Sequence, residues 1–481
     1  MFFVKIINNI LSQRHRGTDI RKKMNISSMF LIIFALLQAE PLWAQDNAEQ
    51  KPTKTLEEQR LDTLRFGTET EIASLIQIVK AEKIHYLDNE LIEIAQKTRN
   101  RNILSGIFGF FGDMEKSGLE DRAVRVIGGR DDEANDTVLA AVDYLGKIKA
   151  SGAVDSLKEL ISSGETRFLN SAFRALGRAV KDNSELKDST AAFLLEYYSE
   201  QRPGDENRRE IIVALGETGS KEAVSFLSDL IKDNDERAPL RMAALDAVSK
   251  IGDSEGLDAV IGAVSSSDPN VRSSAVSALA PFSGEAVDSA ILEAFRDSFW
   301  RTRVGAASAA GKRRLEAAVP YLRFRAENDE VPAVRDEAIK ALGAINNAEA
   351  NTILDSLFKE RKNSDRVRLV AGEMLLQNNA DTYSARVFAE MEEAKARNQT
   401  ALYNGFIRIM GTAKSTSLEN IVRRFISSGG VIEKSLALDL ILSNEFRSLE
   451  TEIRTLLDEK KNGASIARKA KSTLERLGIE E

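Results

Sequence analysis

Apolar residues recur at helical spacing in paired blocks along most of the chain, each block broken by a short polar stretch. In one copy, Leu257, Val260, Ile261 and Val264 mark one helical face, Ser265 to Asn270 interrupts it, and Val271 to Leu279 resumes it. The unit is helix, turn, helix. Its clearest marker closes the second helix: Tyr144-Leu145-Gly146, Ala175-Leu176-Gly177, Ala214-Leu215-Gly216, Ala247-Val248-Ser249, Ala278-Leu279-Ala280, Ala309-Ala310-Gly311 and Ala341-Leu342-Gly343. Successive markers lie 31, 39, 33, 31, 31 and 32 residues apart. Weaker copies follow at Leu375-Leu376, Met410-Gly411, Ile441-Leu442 and Leu477-Gly478. A steady period of this length predicts a repeat architecture in which each pair buries its bare apolar face against its neighbours. The expectation is an all-α fold, a right-handed α-solenoid of about a dozen antiparallel helix pairs.

The same pattern divides the chain. Residues 118–379 hold the regular repeats, 63–117 a degenerate N-terminal cap and 380–481 divergent C-terminal repeats. Alanines three apart, as at Ala275 and Ala278 or Ala338 and Ala341, keep one side of the second helix thin, so that neighbours approach closely. The glycine or small residue ending each marker is expected just beyond the helix, in left-handed backbone. The interval of 39 is assigned to an insertion in one inter-helix turn, Tyr197 to Glu206, and such loops line one edge of a solenoid.

Composition agrees with helix. The chain has only 8 Pro and 7 Tyr, while 43% hydrophobic and 29% charged residues suit a folded protein and argue against disorder. There is no cysteine, which excludes disulfides and thiolate metal sites.

The first 44 residues differ. Arg21, Lys22 and Lys23 lead into the apolar run Met29 to Leu37, followed by Pro41-Leu42-Trp43-Ala44-Gln45. This is the outline of an export signal with a long basic leading region, with cleavage expected after Ala44 and Ala39 as a second position. The apolar run is too short for a bilayer, which needs about 20 residues. Membrane contact is expected at most through an uncleaved signal, and a lipid anchor of the bacterial type needs the cysteine that is missing. A polar leader, 45–62, follows. Residues 1–44 carry six basic and two acidic side chains, so with the whole chain at −7 the remainder stands at −11. An acidic protein exported to the periplasm is a poor nucleic-acid partner.

The regular units resemble the HEAT-repeat family, in particular the short variety of about 30 residues seen in bilin lyases. The resemblance rests on Val-Arg-x-x-Ala-x-x-Ala-Leu-Gly, present from Val271-Arg272, Val334-Arg335 and Val367-Arg368, with Leu240-Arg241, Asn207-Arg208 and Thr302-Arg303 departing at the first position. It implies an armadillo-like superhelix. It also implies a ladder in which turn aspartates pair with these arginines: Asp205, Asp235, Asp268, Asp297, Asp329 and Asp365 with Arg208, Arg241, Arg272, Arg303, Arg335 and Arg368. Leu169 and Val138 stand where earlier units lack the arginine, so the ladder is expected to start near residue 205.

Nothing in the pattern assembles a catalyst. His85 is the one histidine after residue 44, which rules out histidine-rich zinc sites, and it sits at a helix junction that suits a surface or capping role. Gly305 to Arg313 resembles a phosphate loop, but its glycines are one residue too far apart and Arg313 stands where Ser or Thr is needed. Phe108, Phe110 and Phe111 suit the core of an early repeat. Phe299 and Trp300 fall in an inter-helix turn, and with Tyr197 and Tyr198 they are the candidate partner contacts. The expected function is a non-enzymatic scaffold or adaptor for a protein partner in the bacterial envelope, with no cofactor, metal or small-molecule substrate. Two alternatives come from the resemblance alone: an enzyme of the bilin-lyase type, and a HEAT-type DNA-binding protein.

Overall fold

A computed structural model describes residues 54–201 and 203–479; the expected signal segment, its cleavage positions at Ala39 and Ala44 and most of the leader lie outside them. The chain divides into two compact units, Met1–Asp62 and Thr63–Glu481. Helix α1 (Leu56–Phe66) crosses that division, and α2 (Glu69–Glu82) opens the stack of the second unit.

From there the second unit continues as twelve helix pairs. The first six are α3 (Asp88–Lys97) with α4 (Arg101–Asp113), α5 (Glu120–Gly128) with α6 (Asn135–Lys147), α7 (Val154–Ser162) with α8 (Thr166–Ala179), α9 (Lys187–Gln201) with α10 (Asp205–Thr218), α11 (Val224–Lys232) with α12 (Ala238–Ile251), and α13 (Leu257–Ala263) with α14 (Pro269–Ala278). Next come α15 (Glu285–Ala294) with α16 (Trp300–Lys312), α17 (Val319–Asn328) with α18 (Pro332–Ile345), and α19 (Ala348–Lys359) with the first half of α20 (Asp365–Ala396). The second half of α20 pairs with α21 (Thr400–Met410), α22 (Glu419–Ser428) with α23 (Val431–Asn444), and α24 (Glu450–Thr455), through the short α25 (Glu459–Asn462), with α26 (Ala464–Arg476). Among the described residues no strand occurs, and no helix is long and apolar enough to cross a membrane.

The length of α20 hides a boundary. Asn379 leaves helical backbone at φ −158° and ψ 82°, and its side-chain carbonyl accepts the Thr382 N–H at 3.0 Å. The asparagine therefore ends one helix and caps the next.

Second helices stack directly on second helices, α6 on α8, α8 on α10, α10 on α12 and α16 on α18. The marker glycines make this possible, though not in the expected way. Gly146, Gly177, Gly216, Gly311 and Gly343 lie within or at the last turn of their helices, and none has positive φ. A methyl group on Gly146, Gly216 or Gly311 would sit 2.8, 2.7 or 3.0 Å from the Cα of Ala175, Ala247 or Ala341 of the next unit. These glycines are small because another backbone occupies the space. The left-handed residues come three positions later, at Lys149, Gly219, Gly252, Arg314 and Asn346, with φ between 51° and 70°.

The core is continuous through the stack. Phe108, Phe110 and Phe111 are fully buried in α4, and Phe108 stacks on Tyr144 of α6 at 5.6 Å between centroids. The long interval in the middle is not a turn insertion. Its additional residues lengthen α9 and the connection 180–186, while only three residues separate α9 from α10.

Candidate functional site

The arginines near the start of the second helices reach back over the turn, because side chains lean toward a helix N-terminus. There they meet two sets of acceptors. Arg272 donates through Nε and Nη2 to both oxygens of Asp297 at 2.9 and 3.2 Å, and through Nη1 to the carbonyls of Ser266 and Ser267 at 2.9 and 3.2 Å. Arg303 repeats the arrangement on Asp329 at 2.8 and 2.9 Å, with the carbonyls of Asp297 and Ser298. Each guanidinium thus ties its own turn to the carboxylate of the following unit. Bidentate geometry of this kind is among the stronger charge-assisted contacts.

The expected ladder therefore needs correcting. Its pairs were drawn within a unit, yet of the six only Asp205 with Arg208 forms, at 3.4 Å. The aspartates occupy two registers. Asp297 and Asp329 lie six residues before the arginine, where the carboxylate accepts the N–H two residues on, that of Phe299 at 2.7 Å or Val331 at 3.0 Å, and still reaches the preceding unit's arginine. Asp205, Asp268 and Asp365 stand at the helix start instead, and Asp268 caps α14 through the Asn270 and Val271 N–H groups at 2.7 and 3.4 Å. Asp235 and Asp365 are solvent-exposed.

Other residues complete the ladder. Arg208 pairs with Glu236 of the next unit and donates to the Tyr198 hydroxyl at 2.7 Å. Arg368 pairs with Glu390 at 2.6 Å and donates to the Phe358 carbonyl at 3.1 Å. Arg241, 7% exposed, donates to the Ile231 carbonyl at 3.1 Å. Cross-unit pairing also begins before residue 205, because Arg130, in a turn, bridges to Glu165.

Burial would raise the Asp297 carboxyl. The Arg272 hydrogen bond, the Phe299 N–H and the charges of Arg272 and Arg303 outweigh it and hold the group below its ordinary range. Asp329 follows the same logic, with Arg303, the Val331 N–H and the charge of Arg325 overcoming burial. Both carboxylates thus ionise more readily folded than unfolded. Their contribution is present above the ordinary carboxylate value of about 4 and is lost as pH falls through the depressed folded values. Thermal unfolding should therefore drop steeply below about pH 4, and Asp329→Asn should weaken that dependence; an unchanged acid limb would contradict this account.

Of the four aromatic candidates, Phe299 stands in the inter-helix turn as expected and Trp300 opens the helix after it, whereas the two tyrosines do not lie in a turn. Tyr197 and Tyr198 are on helix α9, half-buried, with Tyr197 edge-on to Phe173 at 5.3 Å and Tyr198 to Phe226 at 4.8 Å. They join repeats together and present little surface to a partner. Phe299 caps α16 and Trp300 opens it, both half-buried, with the Arg301 guanidinium 5.6 and 4.8 Å from their ring centroids.

Along the row of second helices, charges bridge neighbours. Asp113 takes Lys80 and Lys147, each at 2.7 Å, Glu210 takes Arg174 at 2.9 Å, and Glu217 takes Lys250 at 2.9 Å. His85 lies on the surface with its Nδ1 2.8 Å from Lys116 Nζ. Among the described residues no three His, Asp or Glu side chains group as a metal site.

One surface feature had no sequence signal. The first helix α17 and the residues that follow α15 in the preceding unit form a cleft of about 300 Å³ lined by Phe295, Arg296, Pro320, Tyr321, Phe324 and Arg325. Phe324 is 56% exposed there. Periodicity could not reveal it, because Phe324 falls on the face that a soluble helix keeps polar.

No curated protein matches the chain. Among solved structures, Kap121p bound to Ste12p is 13% identical with a TM-score of 0.39, over 87% of this chain and 52% of that one. The chain thus spans about half the length of that structure. Kap95p with RanGDP is 12% identical with a TM-score of 0.40, over 89% and 67%. Human deoxyhypusine hydroxylase is 19% identical with a TM-score of 0.25, over 56% and 99%. The sequence profile described as spirochaete HEAT repeat protein matches residues 64–473, nearly the whole of the stacked helices. By its repeats, its helix pairs and this match, the chain belongs to the spirochaete HEAT repeat protein family.

Proposed function

We propose that this chain is an exported, non-enzymatic scaffold that holds protein partners in the bacterial envelope. The observation that carries the reading is the single-file stack of twelve helix pairs, whose rows of side chains offer an extended surface along more than four hundred residues. Such a surface suits another protein, which makes many moderate contacts, better than a small substrate, which needs a concave site with convergent polar groups. The basic-then-apolar leading segment supports export, and the net charge of −11 after it disfavours nucleic acid.

Crosslinking the protein in its own cells, followed by identification of what is recovered with it, tests this. Envelope or exported proteins should be recovered reproducibly. Recovery of cytoplasmic proteins alone would overturn the location, and recovery of none would overturn the scaffold role.

A further inference from the structure

The ladder has one rung whose carboxylate place is filled by a cation. In Arg272 and Arg303 the Nε and Nη2 edge grips an aspartate of the next unit, at the position six residues before that unit's own arginine. For Arg335 the next arginine is Arg368, and the residue six before it is Lys362. Arg335 spends Nη1 on the Asp329 and Glu330 carbonyls, at 2.5 and 3.4 Å, and its gripping edge meets no carboxylate among the described residues. Lys362 is itself drawn to Glu360 at 2.6 Å, away from the ladder.

The open rung adjoins the aromatic cleft. Asp329, whose carbonyl holds Arg335, has its carboxylate bound by Arg325 at 3.2 Å, and Arg325 lines the cleft and donates to the Phe295 carbonyl at 2.5 Å. In the cleft Tyr321 stacks on Phe295 at 5.7 Å under the Arg296 guanidinium, leaving Phe324 to solvent. The following turn is basic as well: residues 359–368 carry Lys359, Arg361, Lys362, Arg366 and Arg368 against Glu360 and Asp365. Those cations are already paired, Lys359 with Asp355, Arg361 with Glu393, Lys362 with Glu360, Arg366 with Asp336 and Arg368 with Glu390, which leaves Arg335 offering an open guanidinium edge near an exposed apolar anchor point.

We propose that this edge docks an acidic segment of a partner protein, with an aromatic or leucine side chain seated against Phe324 and Tyr321 and a carboxylate taken by Arg335. The proposal rests on the scaffold reading and names its contact. Guanidinium and ammonium groups select acidic segments, and the aromatic wall supplies the buried area that charge alone does not.

A random peptide library displayed on phage, selected on the protein with residues 1–44 removed, tests this directly. Acidic peptides bearing an aromatic residue or leucine should be enriched. Synthetic versions of them should lose roughly tenfold or more in affinity for Phe324→Ala and for Arg335→Ala. Because Phe324 is exposed, that variant should melt with the wild type. Arg335→Lys should recover only part of the binding, since a point charge cannot grip both oxygens. Enrichment of basic peptides, no enrichment, or binding indifferent to both variants would overturn the proposal. Self-association abolished by Phe324→Ala would assign the cleft to a second copy and likewise overturn it. Partners captured equally by wild type and Phe324→Ala would sink this site while leaving the scaffold reading standing.

Discussion

Replacing Asp329 by alanine should cost about 3–5 kcal/mol of local stability, the largest loss expected from a single substitution in this chain. Its side chain is 1% exposed and that of Arg303 is 6% exposed, so the change leaves a buried guanidinium without its counter-ion. It also removes the carboxylate that accepts the Val331 N–H at 3.0 Å. Burying the pair is itself costly, so removing both members should be far milder than removing one. Arg303→Met combined with Asp329→Leu should therefore recover most of the loss. Unfolding in urea, followed by tryptophan fluorescence, suits this test. Trp300 is the only tryptophan left once Trp43 is removed with residues 1–44, and it lies within the affected unit. A double variant as unstable as Asp329→Ala would show that the pair has no special coupling.

The second large effect concerns Gly216. In an exposed helix, glycine to alanine gains up to about 1 kcal/mol of helix propensity. Here the added methyl would lie 2.7 Å from the Cα and 2.8 Å from the Cβ of Ala247, atoms that cannot step aside without moving a whole helix. Gly216→Ala should therefore destabilise by about 1–3 kcal/mol, and Gly216→Leu by more, by prising α10 from α12. Gly262 provides the contrast, because a methyl there meets nothing within 4 Å. Gly262→Ala should be neutral or stabilising. Circular dichroism melts of the three variants would decide the matter, and a Gly216→Ala variant as stable as Gly262→Ala would contradict the close-contact role.

These two positions show what the sequence could and could not reveal. The period and its small residues were legible, because a helix that must touch another backbone admits nothing larger than glycine or alanine at the crossing. The reason for the glycine was misjudged. Ala-Leu-Gly looks like a helix ending, yet the left-handed residue follows three positions later and is as often Lys149, Arg314 or Asn346 as glycine. Helix ends tolerate such substitutions at moderate cost, whereas the close crossing does not.

The ladder was legible as a set of residue types and obscure as a set of partners. Recurring arginines and aspartates predict charge pairing, but spacing along one chain does not say which unit supplies the acid. That depends on the lean of the side chain and on the distance between stacked turns. Aspartates six residues and three or four residues before the arginine look alike in sequence, yet Asp297 and Asp329 bind the preceding unit's arginine, while Asp235, also six residues before, is exposed and Asp205 reaches Arg237 of the next unit instead. Glu236 and Glu390 escaped notice because a longer carboxylate, on a turn or on a neighbouring helix, reaches the same guanidinium from a different position. Tyr197 and Tyr198 were misplaced for a related reason. Pro203 and Gly204 signalled a turn, and the turn is there, but the helix before it runs to Gln201 and carries both tyrosines into the packing.

The proposed scaffold role requires the stack to work as a continuous protein-binding surface. Mapping the crosslinked residues, after crosslinking in the native cells, measures this most directly. The account predicts that linked positions for one partner fall on one strip through several consecutive helix pairs, including the edge around Arg296, Phe324 and Arg335. Crosslinks scattered over unrelated faces, or none to any protein while a small molecule is retained, would contradict it.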